Sequence, residues 1–245
     1  MQRVRRLASV AVVASLAVAG LTACRTAPST AAYFGSGPGA ATISQDEVEA
    51  LYKDARANST GARTETDGSI TQPAQLSRQD IVGTLVGLDV LRKYGKDSGL
   101  TPSAVTADQV ASNLFLKPTA KFVPVFAEFE GLLEAAAGKV QAQQPTVPEV
   151  RDIYNRLSAA GVLPNSTFES WAGSLNQSIQ QLIGQRVGLK TQLEKVAATM
   201  DIVVNPRYQP SFSLLTPYGP TGRSIPLVEV PVGDPANAVP VTTAG

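Results

Sequence analysis

Cys24 is the only cysteine in a chain of 245 residues that contains no histidine. Without imidazole the chain lacks the side chain most used for general acid-base work near neutral pH. With one thiol it also lacks the usual ligand set for zinc or a redox metal. Neither a metal nor a cofactor is expected beyond a covalent group on Cys24 itself. Glu128, Glu130 and Glu134 form the densest group of glutamates. A hydrolase working through paired acids needs two carboxyl groups facing one cleft at a set separation. Their spacing between Phe126, Phe129 and Leu133 instead predicts the solvated side of a helix. The sequence has no glycine-rich phosphate loop, nucleophile elbow or metal-ligand helix motif. These residues predict a protein that is not an enzyme.

The surroundings of Cys24 assign it a different chemistry. Arg3, Arg5 and Arg6 precede an apolar stretch from Leu7 to Gly20, which small residues close. A basic start, a short apolar run and a small-residue cleavage site describe an export signal. The run falls short of the about 20 apolar residues that span a bilayer. Leu21-Thr22-Ala23-Cys24 resembles the lipobox of bacterial lipoproteins. The resemblance implies cleavage before Cys24, a diacylglyceryl group on its sulfur and further acylation of the new amino terminus. Each buried acyl methylene contributes ~0.8 kcal/mol, so two or three chains hold a protein on a membrane without a spanning helix. The expected location is the extracytoplasmic face of the cell membrane. Arg5-Arg6 leaves both the general and the twin-arginine export routes open.

Removing residues 1–23 leaves 18 of the 21 basic side chains against 20 acidic ones. A near-neutral chain with no basic stripe is not expected to bind nucleic acid. A single cysteine also rules out an internal disulfide, so stability must come from burial.

Four zones follow from composition and periodicity: a signal peptide over 1–23, a lipidated tether with a possible first strand over 24–41, a helical domain over 42–208, and a Pro-rich tail over 209–245. Ser44 with Glu47, Thr106 with Gln109 and Thr146 with Glu149 have capping-box spacing, and Ser77 caps a further helix predicted to stop near Tyr94-Gly95. Phe122, Phe126, Phe129 and Leu133 line another helix, with Pro124 near its first turn. Phe168, Leu175, Leu182, Leu189 and Val196 recur every seven residues and predict one long last helix, Thr167 to Met200, ~50 Å in length. Arg186 interrupts its apolar row and is expected to reach out to solvent along its methylenes. Gly184 and Gly188 predict close approach of another helix. From Pro210 onward, repeated prolines predict a disordered tail, although Ile225 to Val230 can still pair at an edge.

Ile202-Val203-Val204-Asn205-Pro206-Arg207-Tyr208, directly after the long helix, resembles the "VNPRY" ending of a group of actinobacterial lipoproteins whose domain is similar to the amino-terminal region of the periplasmic chaperone SurA. Ala31-Ala32-Tyr33-Phe34 and Thr42-Ile43-Ser44 resemble the short strand and first helix start that follow the lipobox in that group. The signature residues are Asn205, Pro206, Arg207 and Tyr208. The implied fold is mainly α, a multi-helix domain with a long final helix and a small two-stranded β element joining its two ends, without a parvulin isomerase domain. The implied function is a membrane-anchored, chaperone-like holder of exported or unfolded polypeptides, with Phe122, Phe126, Phe129 and Trp171 as the candidate apolar face. Met200 is the only methionine after the signal, so the adaptable thioethers of promiscuous binders are scarce. The alternative is a scaffold lipoprotein that docks one specific envelope protein.

Overall fold

The computed structural model describes residues 28–35, 40–64, 70–163 and 165–233. The signal segment, the lipobox and Cys24 lie outside the described residues, as do residues 234–245. The described chain is mainly helical with small antiparallel sheets. In order it runs β1 (Thr30–Phe34), β2 (Ala41–Ser44), α1 (Gln45–Ala57), β3 (Arg63–Thr64), β4 (Ile70–Thr71), α2 (Arg78–Ser98), α3 (Ala107–Leu114), α4 (Phe122–Ala137), α5 (Val147–Ala159), α6 (Phe168–Ser174), α7 (Gln177–Ala198), β5 (Ile202–Val204), β6 (Ser211–Leu215) and β7 (Val228–Pro231).

Local chemistry starts most of the helices. Ser44 and Ser77 accept hydrogen bonds from the Glu47 and Asp80 amides, and reciprocal capping boxes form at Ser77, Thr106 and Thr146. Each cap satisfies amides that the first turn cannot pair internally. α2 runs one turn beyond the predicted stop. Gly95 stays helical and is packed against Leu132, and left-handed Gly99 ends the helix instead.

α2 is the central element, with Ile81, Val82, Val86, Leu88, Val90 and Leu91 all buried. α1, α4, α7 and β6 pack around it. One apolar cluster runs from Ala31 in β1 to Val232 beyond β7.

Where two chain ends were expected to meet in a two-stranded element, the sheet has three strands in the order β2-β1-β5. β1 pairs antiparallel with β5, Ala32 opposite Val204 and Phe34 opposite Ile202, and β2 adds the third strand. Asn205 and Tyr208 latch this junction. The Asn205 amide and side chain donate to the Ala31 and Thr30 carbonyls, and the Tyr208 hydroxyl bonds Gln45 at the start of α1. Pro206 and Arg207 between them are exposed.

The predicted long final helix is broken. Leu175 and Asn176 adopt extended backbone, and the Asn176 side chain accepts from the Ile179 amide at 2.9 Å, capping α7 anew. A short polar side chain that can bond its own following amides makes the break locally favourable. Phe168 consequently leaves the seven-residue seam and packs edge-on against Tyr154 in α5.

The Pro-rich tail requires a larger correction, because residues 210–233 are folded. β6 and β7 pair antiparallel, with Phe212 opposite Val230. Phe212, Leu214, Val228 and Val230 are buried, while Ser213 and Glu229 between them are half-buried. Pro231 ends β7, and Pro217, Pro220 and Pro226 fall between the strands, so a two-stranded ladder tolerates them all. Gly87 admits the hairpin: a Cβ there would lie 2.6 Å from the Phe212 ring and 2.8 Å from that of Phe129. The connecting turn docks on the segment before α2 through Gln75 and Gly222, whose φ of +77° and approach to the Pro73 carbonyl exclude a side chain.

Gly184 and Gly188 do permit close approach, but of an extended segment rather than a helix. The Gln143 amide donates to the Gly184 carbonyl at 3.0 Å. A Cβ at Gly184 would overlap the Gln143 carbonyl oxygen, and one at Gly188 would lie 2.8 Å from that of Gln141.

Candidate binding arm and acidic cavity

Phe122, Phe126, Phe129 and Trp171 do not form one open face. Phe122 and Phe129 are buried, Phe126 packs between them with ring centroids 5.7 and 5.8 Å away, and all three face the core. Trp171 lies in α6, half-buried against Tyr154 with centroids 5.7 Å apart. A helix carrying this much apolar surface is covered on several sides, here by α2, α1 and α3.

The large apolar side chains exposed among the described residues are Val147 (64%), Val162 (37%), Ile179 (41%) and Leu182 (37%). All four lie within residues 147–182, the stretch formed by α5, α6 and the first turns of α7. Burial there is sparse: α5 contributes only Ile153, α6 nothing, and α7 starts contributing at Ile183. The stretch is an arm. Arg156 fastens α5 to the body, donating to the Pro226 carbonyl at 2.8 Å and to the Glu229 carboxylate. Ile179 and Leu182, three residues apart, share one face of α7.

The three glutamates of α4 have distinct surroundings rather than one solvated face. Glu128 receives two hydrogen bonds of 2.7 Å from Arg92, and these hold its carboxyl below the usual range. Glu134 pairs with Arg186. Arg186 does not snorkel: it is 5% exposed, and its Nε and Nη1 have no hydrogen-bond partner. Glu130 lies half-buried without a hydrogen bond or ion pair among the described residues. Burial raises its pKa, Arg186 opposes the shift and Glu134 adds to it.

A raised folded-state pKa means that the ionised form is less favourable in the folded protein than in the unfolded chain. Glu130 therefore contributes stability below its ordinary pKa and loses it as pH rises through the folded one. Glu130→Gln is expected to raise the melting temperature at neutral pH, with the gain shrinking as pH falls through the raised folded value and gone below the ordinary glutamate value. Paired thermal melts across pH 4 to 8 check both the sign and its disappearance.

Glu130 faces a cavity of ≈ 120 Å³ between α2, α4 and the β6–β7 hairpin, whose walls include Asp80, Phe129, Phe212, Tyr218 and Ser224. Tyr218 was unremarkable in sequence because it sits between Pro217 and Gly219 in a stretch without periodicity. Burial, with Asp80 and Glu130 nearby, raises its pKa. Among the described residues, no three His, Cys, Asp or Glu side chains are grouped closely enough to hold a metal ion. No described helix is long and apolar enough to cross a membrane. No protein-family model, curated protein or solved structure matches the chain.

Proposed function

We propose that this protein is a lipid-anchored lipoprotein of the extracytoplasmic membrane face that docks one specific protein partner through its α5–α6–α7 arm and performs no bond-making chemistry. The observation that carries this reading is that, among the described residues, the exposed large apolar side chains, Val147, Val162, Ile179 and Leu182, all lie in that arm. Apolar side chains presented on a lightly buried helical element are what a partner would cover. The lipobox-like Leu21-Thr22-Ala23-Cys24 supports the anchor. The mainly helical body, with β1 and β5 joining its two ends, is consistent with membership of the SurA-N-like lipoprotein group. General holding of unfolded chains is the weaker reading, since the aromatic face on which it rested is core and methionine is scarce.

Pull-down from envelope extracts is expected to recover one stoichiometric partner, which Ile179→Asp with Leu182→Asp removes. Both positions are exposed, so the double variant should stay within about 0.5 kcal/mol of the parent per site. Recovery of a mixed population would favour the chaperone-like reading. Recovery unchanged by the double variant would reject the arm.

A further inference from the structure

The cavity behind the hairpin has a chemical bias that partner docking does not use. Among the described residues, every charged one on its wall is acidic: Asp80, Glu130 and Glu229. Two of these are already engaged. Asp80 accepts from the Ser77 amide and hydroxyl and from the Ser224 hydroxyl, each at 2.7 Å. Glu229 is held by Arg156 and by Ser211. Glu130 and the Tyr218 hydroxyl are left without hydrogen-bond partners among the described residues, and the nearby cation, Arg186, is committed to Glu134. Phe126, Phe129, Phe212 and Tyr218 supply aromatic walls to the same space. A second cavity of ≈ 480 Å³ shares Phe126, Glu130, Thr216 and Tyr218 with the first and continues past Val110 and Phe115. Its one basic wall residue, Arg63, bonds Ser112 and stacks over the Phe115 ring at 4.7 Å.

We propose that these neighbouring cavities, which share four wall residues, bind a small organic ammonium compound, with its charged head between the Glu130 carboxylate and the Tyr218 hydroxyl, against the aromatic rings, and its apolar body toward the second cavity. A space near 120 Å³ matches a head group with a few carbons, since a cavity of about 150 Å³ admits benzene. Aromatic faces attract cations through the ring quadrupole, and a desolvated carboxylate adds a charge-assisted hydrogen bond. A metal ion fits less well, because the carboxylates do not converge. The site shares no residue with Val147, Val162, Ile179 and Leu182, so partner docking and ammonium binding stand or fall separately.

Isothermal titration calorimetry of the purified protein with n-hexylammonium and with the neutral isostere 1-hexanol tests the site. Hexylammonium is expected to bind saturably and at least about tenfold more tightly than hexanol, the margin of one charge-assisted hydrogen bond. Glu130→Gln should remove that margin while leaving hexanol binding unchanged, and Tyr218→Phe should reduce it in part. Equal binding of the two probes by the unmodified protein would overturn the proposal, as would no saturable heat with hexylammonium. Neither result depends on a variant folding.

Discussion

Removing residues 210–245 is expected to abolish cooperative unfolding. The deletion takes Phe212, Leu214, Ile225, Leu227, Val228, Val230 and Val232 out of the core, all of them buried. At roughly 1.5–3 kcal/mol for each fully buried large apolar side chain, the loss is on the order of 10 kcal/mol. That is comparable to the whole stability of an ordinary domain, about 5–15 kcal/mol. The deletion would also open the Gly87 notch and expose the rings of Phe126 and Phe129. Phe212→Ala alone should cost about 3–5 kcal/mol, the range for a large aromatic side chain removed from a packed core. Circular dichroism and thermal or urea unfolding decide the matter. A truncated chain that melts like the parent would mean that the hairpin is an appendage.

Glu134→Ala and Arg186→Met are expected to move stability in opposite directions. Arg186 is buried, and two of its nitrogens have no partner, so its one ion pair with Glu134 carries the compensation for desolvating a guanidinium. Deleting Glu134 leaves that charge uncompensated. Because the Glu134 side chain is itself 49% exposed, water can answer part of the loss, and a cost of about 2–3 kcal/mol is expected rather than the full penalty of a deeply buried pair. Methionine at 186 keeps a similar apolar length and removes the unsatisfied donors, so it should be neutral or stabilising by about 1 kcal/mol. Urea unfolding of the two variants and their combination checks the ordering. In the Arg186→Met background, Glu134→Ala should cost little.

The parts of this fold that could be read from sequence are those governed by chemistry within one helical turn. Ser44, Ser77, Thr106 and Thr146 announced helix starts because a hydroxyl and an amide three residues on satisfy each other without help from the rest of the chain. An element joining the two ends of the domain was expected, and β1 does pair with β5, though in a sheet of three strands rather than two. What went unread depends on distant partners. The seven-residue apolar repeat hid the local break at Asn176, where a capping side chain outweighs continuity of the seam. The prolines of the tail obscured a plain alternation in Phe212-Ser213-Leu214 and Val228-Glu229-Val230, because the ladder is two strands wide and places proline at strand ends and in the turn. Arg186 looked like a snorkelling residue. Nothing in its neighbours along the chain reveals that it is buried facing Glu134 of α4.

For the candidate sites the same division holds. Tyr218 and Glu130 come together only once the hairpin folds over α2 and α4, so no spacing in the sequence announces the cavity. The arm is half legible. Leu182 was read as part of one continuous seam, whereas it and Ile179 lie exposed in the first turns of α7, and Val147 and Val162 carried no signal.

Tethering at Cys24 is the condition for the proposed docking, because the arm meets an envelope partner only if the chain is held at that surface. Intact-mass spectrometry of protein taken from its native membranes measures it directly. The expected species begins at Cys24 and carries the added mass of a diacylglyceryl group with a further acyl chain. Protein that retains residues 1–23, or that starts at an unmodified Cys24, would contradict the anchor and with it the proposed place of action.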